Sequence, residues 1–318
     1  MLSNISITYA EHSQDILEVA VKLIKSGSRC ALVTSLTIKG GAARAVGSLA
    51  VIAEDGSMTG YLSNGCIDHD IRLHSLEAIE TRQIKCIHYG AGSPFMDLKL
   101  PCGGSLELVI DPLPNLEILR HALDNLYARK ATKLSFCVKD GLVTNGNGSH
   151  CFSYAPKPAL VLAGRGAIFR TAASLACEMD FELHLASPDT EDIANIATLN
   201  PKSSHHMISP SSDLDLPFDE HTAVLLLFHD HEWEQVLLTK SANASPFFIG
   251  ALGSKKTQVI RLERLRNIGL SAELCKKIRG PIGLVPSLRN ASLIAISALA
   301  EITSQLPASQ TKIDYLNY

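Results

Sequence analysis

Ala159-Leu160-Val161-Leu162-Ala163-Gly164-Arg165-Gly166 is the stretch whose reading decides the fold of this 318-residue chain. Five consecutive apolar residues read as a fully buried strand, and the glycines after them turn the chain into an apolar helical segment that reaches residue 179. Glycines at a strand–helix turn let backbone N–H groups approach a pyrophosphate, which then sits at the positive end of the helix dipole. Gly164 and Gly166 are therefore candidate nucleotide-binding residues. The third position of the G-x-G-x-x-G/A pattern is Phe169 instead of a small residue. About 20 residues further on, where an acidic side chain would hold a ribose, stand Ser187 and Pro188, with Asp189 just after. These residues leave open the choice between NAD and NADP. They also leave open a fold of this kind that no longer binds a dinucleotide.

Downstream, strands are expected over residues 182–186, 222–228 and 247–250, and helices over 190–198, 256–268 and 292–305. Strands alternating with helices predict a doubly wound parallel sheet of the Rossmann-like type over residues 159–318. Upstream, Asn145-Gly-Asn-Gly-Ser149 is a loop signal. Pro156 and Pro158 force extended neighbours, so residues 153–158 are assigned as a linker. Residues 1–152 show helical spacing over 13–25, 67–79 and 116–127. Strand-like runs cover 30–37, 46–53, 60–62, 98–100, 106–110 and 134–143, with hairpin signals at Asp55-Gly56 and Asp140-Gly141. The chain thus reads as an α/β protein, with an N-terminal mixed α/β domain followed by the Rossmann-like domain.

Apolar residues form 46% of the chain and charged residues 19%, the balance of a globular protein with a filled core. A net charge of −3 supplies no field that would draw the chain onto nucleic acid or an anionic membrane. The longest apolar run, 222–228, is far shorter than the roughly 20 residues that span a bilayer. The first residues lack a basic then apolar signal pattern, so a cytoplasmic location is expected. The eight cysteines form no C-x-x-C pair, which argues against a disulfide framework or a zinc ribbon. Cys30, Cys137 and Cys177 lie in apolar runs and read as small core residues.

Three further constellations carry chemistry. His229-Asp230-His231-Glu232 follows the strand at 222–228, at the carboxyl end where open α/β sheets bind ligands. His229 and His231 are candidate metal ligands, although neighbouring residues point apart and an acid-rich helix start accounts for the run equally well. Gly250-Ala251-Leu252-Gly253-Ser254-Lys255 is a glycine–serine turn opening a helix, with Ser254 and Lys255 as candidate phosphate contacts. The basic residues behind it, Arg261 and Arg264 among them, read as a solvated helix face. In the first domain, Ser63-Asn64-Gly65-Cys66 leads into a helix, a position that favours a reactive thiolate or soft-metal ligand. Cys102 stands in a second glycine turn, Pro101-Cys102-Gly103-Gly104.

Taken in order, these segments resemble the XdhC/CoxI family. Its G-S-S-P-R-x-x-G stretch corresponds to Gly40-Gly41-Ala42-Ala43-Arg44-Ala45-Val46-Gly47, its S-G-G-C-V-E to Ser63-Asn64-Gly65-Cys66-Ile67-Asp68, and its P-C-G-G to Pro101-Cys102-Gly103-Gly104. The C-terminal half is similar through Gly164-Arg165-Gly166, Phe228-His229-Asp230-His231-Glu232, Ile249–Lys255, Pro281-Ile282-Gly283-Leu284 and Ser297–Ile302. The resemblance implies an accessory protein that binds molybdenum cofactor, protects its sulfurated form and delivers it to a xanthine dehydrogenase-type molybdenum hydroxylase. It implies Cys66 and Cys102 as contacts to molybdenum or its sulfur, with Arg44, Gly65 and Gly103 shaping the pocket. A cysteine desulfurase as second partner and a symmetric homodimer belong to the same expectation. The chain departs from the family where Ser-Ser-Pro is Gly41-Ala42-Ala43, where a glycine is Asn64 and a glutamate is Asp68, and where G-L-D-I-G is Gly283-Leu284-Val285-Pro286-Ser287. Two other functions compete: an NAD(P)-dependent oxidoreductase using the Rossmann-like domain, and a thiol enzyme or sulfur carrier acting through Cys66.

Overall fold

A computed structural model describes residues 6–40, 44–90, 104–144, 146–230 and 232–306. The chain divides into two compact units between Pro156 and Lys157.

The first unit runs β1 (Ile7–Thr8), α1 (Ser13–Lys25), β2 (Cys30–Lys39), β3 (Leu49–Ala53), β4 (Met58–Gly60), α2 (Asp68–Thr81), β5 (Lys85–Gly90), β6 (Ser105–Asp111), α3 (Leu116–Tyr127), β7 (Thr132–Cys137), β8 (Gly141–Val143) and β9 (His150–Tyr154). Helix α1 forms because Ile16, Leu17, Ala20 and Val21 recur on one face while His12 Nδ1 accepts from the Gln14 N–H at 3.2 Å. Helix α3 is started by Asn115, whose Oδ1 accepts from the N–H groups of Glu117 and Ile118. The main sheet has the order β1-β4-β3-β2-β6-β5 and is antiparallel except for its β1–β4 edge pair. Its strands alternate: Leu32 and Val109 pack with α1, α3, Phe136 and Phe152, while Ala31, Val33, Leu108 and Ile110 pack with Ile71 and Ile79 of α2. Thus α2 and the loop leading into it lie on one face of the sheet. A second sheet, β8-β7-β9, contributes to the core on the other face. Strand β9 extends to Tyr154, so the first two residues expected as linker belong to a strand.

The second unit runs β10 (Ala159–Gly164), α4 (Gly166–Glu178), β11 (Glu182–Ser187), α5 (Thr190–Ile196), β12 (Ser203–His206), β13 (Thr222–Leu227), α6 (Gln235–Asn243), β14 (Phe248–Ala251), α7 (Lys255–Asn267), α8 (Ala272–Lys276), β15 (Ile278–Arg279) and α9 (Ala291–Thr303). Its sheet is parallel throughout, in the order β12-β11-β10-β13-β14-β15. That is the doubly wound Rossmann-type arrangement, with the strand order reversing between β10 and β13. All of β10 and β13 is buried, because helices cover both faces of a parallel sheet. One core holds Leu160, Leu162, Phe169 and Leu299. The other holds Val161, Val224, Leu237 and Leu265. Among the described residues no helix is long and apolar enough to cross a membrane.

Candidate functional site

The glycine turn after β10 is built as its sequence requires, but its anion seat is taken. Gly164 ends β10 so close to β13 that an added Cβ would lie 2.8 Å from Leu227 Cβ. Gly166 opens α4 at φ +79°, a conformation that favours glycine. Its N–H donates to Asp192 Oδ2 at 2.7 Å, and the other oxygen of Asp192 accepts from Arg170 Nε. Asp192 comes from α5 and is fully buried. At the end of β11, Ser187 is also fully buried and its Oγ accepts from the Asp189 N–H. Asp189 caps α5, with Oδ1 accepting from Glu191 N–H at 2.8 Å and Asp192 N–H at 3.4 Å. A dinucleotide would bring its pyrophosphate against the Asp192 carboxylate, and the one acid near the ribose position is already engaged. Phe169 is a core residue of α4, where close helix–strand packing over a pyrophosphate calls for a small one. The residues present do not fit NAD(P).

Around the carboxyl end of β13, His229 and Asp230 are exposed, and the Glu232 N–H donates to Asp230 Oδ1 at 3.0 Å. His231 lies outside the described residues. Ser254 is the N-cap of α7, its Oγ accepting from Thr257 N–H at 3.1 Å and lying 2.9 Å from Thr257 Oγ1, while Lys255 is exposed on the first turn. Arg261 is not part of a solvated face as its spacing suggested. It is 2% exposed, and its Nε and Nη2 donate to the two oxygens of Glu234 at 2.7 and 3.0 Å. Arg261 Nη1 reaches Gln258 Oε1 and Nη2 also reaches the Leu252 carbonyl, while Gln258 Nε2 donates to the Ile278 carbonyl. This satisfied network ties the start of α6 to α7 and to the turn after β14. Sequence reasoning missed it because the partners are 27 residues apart.

In the first unit, Ser63-Asn64-Gly65-Cys66 forms a tight loop between β4 and α2. Asn64 has φ +53° and Gly65 φ +97°. Asp68, 2% exposed, gathers the loop's amides: its Oδ1 accepts from Leu62 and Ser63 N–H at 2.9 and 3.1 Å, and its Oδ2 from Gly65 N–H at 2.7 Å. Ser63 Oγ accepts from Ile67 N–H at 2.9 Å. The shorter Asp68 in place of a family glutamate thus serves as the clamp of the loop, and Cys66 is left exposed on it. Arg44 lies over the Tyr61 ring, 4.7 Å from its centre, and donates to the Glu11 carbonyl at 2.6 Å. Tyr61 donates its hydroxyl to Glu11 Oε1 at 2.7 Å, an arrangement that pushes the phenol's pKa up. Along α2, Asp70 accepts from the Tyr89 hydroxyl at 2.6 Å and lies 3.5 Å from His74 Nε2. Burial, then Glu107, pushes the Cys86 thiol up to about 11. Burial, then Asp111, does the same to Cys30. Both therefore stay protonated at neutral pH. Cys102, Gly103 and the strand expected over 98–100 lie outside the described residues. Among the described residues no three His, Cys, Asp or Glu side chains come together as a metal site. Cys66 and His229 belong to different units.

Comparison with known proteins follows the same division. The family described as "XdhC and CoxI family" matches residues 23–90, and "XdhC Rossmann domain" matches residues 160–302. Over 299 residues, covering 91% of this chain and 87% of the relative, the chain is 34% identical to the molybdenum cofactor insertion chaperone PaoD of Escherichia coli (strain K12). A crystal structure described as a xanthine dehydrogenase from Bacillus halodurans aligns with a TM-score of 0.73 at 18% identity, covering 91% of this chain and 95% of that one. That likeness is one of fold.

Proposed function

Because the chain belongs to the XdhC/CoxI family, we propose that it is a carrier of molybdenum cofactor that binds the cofactor in its N-terminal unit and inserts it into a xanthine dehydrogenase-type hydroxylase. The observation that carries this reading is the 34% identity, over most of both chains, to a molybdenum cofactor insertion chaperone. The cofactor is cargo here. A thiolate is a soft donor suited to ligating its molybdenum. Cys66 supplies that donor from an exposed position on a loop whose amides are already held by Asp68, so little ordering remains to be done on binding. Cys102 and Gly103 complete the pocket in this proposal, with Arg44 and Gly65 shaping its near side. The carrier shields the sulfurated cofactor, a cysteine desulfurase supplies the sulfur, and the exchange takes place in the cytoplasm.

A nicotinamide-dependent oxidoreductase is the poorer reading, because Asp192 holds the Gly166 amide that a pyrophosphate would need. The carrier reading is tested by loading the purified chain with cofactor, mixing it with apo-hydroxylase and following recovered hydroxylase activity. Wild type should restore activity faster than free cofactor, and Cys66→Ala should lose most of that advantage. A wild type no better than free cofactor would overturn the proposal.

A further inference from the structure

Helix α9 carries two apolar stripes. Ala295, Ala298, Leu299 and Ile302 form the first and are buried in the core with Leu160 and Phe169. Leu293, Ile296, Ala300 and Thr303 form the second, at the three-four-three spacing of a helix–helix seam. Leu293 and Ile296 are 50% and 52% exposed. The loop before the helix extends the same surface with Leu284 and Val285, which are 59% and 53% exposed. That loop is held in place. Val285 N–H donates to Ser297 Oγ at 2.8 Å, Leu284 N–H to the Ser297 carbonyl at 3.3 Å, and Gly283 N–H to Glu301 Oε2 at 2.6 Å. Gly283 has φ +103°, and an added Cβ would lie 2.7 Å from Ser297 Oγ.

The surface is free of charge. Glu301 is the one charged residue of α9, and it is buried against Gly283 N–H and Arg279 Nη1. Thr303 donates its hydroxyl to the Leu299 carbonyl at 2.9 Å, so covering it strands no polar group. Four large apolar side chains presented by a fixed loop and helix, without a charge among them, mark an interaction surface.

The order of sizes along the seam selects the occupant. The large side chains, Leu293 and Ile296, come first, and the small ones, Ala300 and Thr303, come last. A second copy of α9, laid antiparallel about a two-fold axis between Ile296 and Ala300, sets Leu293 of one copy against Thr303 of the other and Ile296 against Ala300. Large then meets small at every level, whereas a parallel copy would set large on large. The charges agree as well. The uncharged seam meets itself without like-charge repulsion. The same apposition brings Arg289, exposed just before the N-cap Asn290, towards the C-terminal end of the other copy's helix, whose last turn carries no basic residue of its own.

We propose that α9 and the loop 283–285 form the interface of a two-fold dimer of this chain, centred on an antiparallel α9–α9 contact. The inference stands apart from the carrier reading, since it concerns the second unit alone.

The test follows the mass of the full chain by light scattering and sedimentation over a concentration series. Wild type should be a dimer that dissociates only on dilution. Ile296→Glu should raise the dimer dissociation constant by about a hundredfold or more, because each dimer would then bury two unpaired carboxylates. Its far-UV circular dichroism should match wild type. Leu284→Glu, which lies outside the helix, should act in the same direction and decides the matter if Ile296→Glu disturbs the fold. Ala300→Lys alone should also weaken the dimer. Mixed with Ile296→Glu it should restore association, because the antiparallel register sets the introduced amine beside the introduced carboxylate. A wild type that stays monomeric throughout, as it would if residues 307–318 or another protein cover the seam, overturns the proposal. So does a dimer that neither glutamate substitution weakens. A mixture that associates no better than either variant alone overturns the antiparallel contact.

Discussion

Asp111 closes β6 with its carboxylate buried, accepting from Leu113 N–H at 2.9 Å and Leu142 N–H at 2.8 Å. It sits against Gly141, where φ is +65° and an added Cβ would lie 2.4 Å from Asp111 Oδ2. Gly141→Ala combines a strained backbone with a clash against a fixed carboxylate. It should lower unfolding stability by about 1–3 kcal/mol in denaturant titrations. Burial pushes the Asp111 carboxyl above its ordinary value of 3.8, and the two amide bonds offset only part of that. A raised carboxyl contributes stability that is full below the ordinary value and is lost as pH rises through the raised one. The stability of wild type relative to Asp111→Asn should therefore fall as pH rises from 3.8, and a difference that grows with pH would contradict the assignment. Asp-Gly at 140–141 was legible as a turn because turn residues carry a local signature. The role of Asp111 was not, since its partner Leu142 is 31 residues away. Asp192 was invisible for the same reason, since the Gly166 amide it holds is 26 residues away. Nothing in its neighbours announces that it would be buried against a glycine amide.

At the scale of elements, the periodic helices α1 and α3 were legible from their apolar spacing, and the structure adds the caps His12 and Asn115 that start them. Strand β12, Ser-Ser-His-His, carries no apolar alternation and emerges only from pairing with β11 at the sheet edge. The link between α4 and α5 through Asp192 has two measurable consequences. Asp192→Ala strips Gly166 N–H and the half-exposed Arg170 of a shared acceptor, and should cost about 1.5–3 kcal/mol. NADH fluorescence should show no saturable binding to wild type. Saturable binding with perturbation of the Gly166 amide would contradict the closed turn. Between α6 and α7, Glu234 and Arg261 are 1% and 2% exposed. Glu234→Ala leaves the guanidinium buried without its counter-charge, held only by Gln258 and the Leu252 carbonyl, and should cost about 3–5 kcal/mol. The double replacement of Glu234 and Arg261 should cost less than the sum of the single ones, because they share one network.

On the scale of the whole molecule, the order of motifs carried more information than any one of them. The glycine turn alone suggested a dinucleotide, which Asp192 opposes. Its place after a cysteine-bearing loop and a mixed α/β unit pointed to the family that the comparisons then matched over both halves. The fold of the second unit was legible because a parallel sheet writes itself as buried runs separated by helices. The loop proposed to hold the cargo was legible only in part, as a thiol in a glycine turn. The clamp that presents that thiol, Asp68, differs from the family residue by one methylene and shows its purpose only through three amides. The central claim is that Cys66, so presented, holds molybdenum cofactor. It is tested most directly by equilibrium binding of the cofactor to the purified full chain, wild type against Cys66→Ala. The account predicts a single saturable site in wild type and at least tenfold weaker binding in the variant, about the 1.4 kcal/mol of one lost strong contact. Equal binding by the two proteins, with Cys66→Ala as stable as wild type, would contradict it.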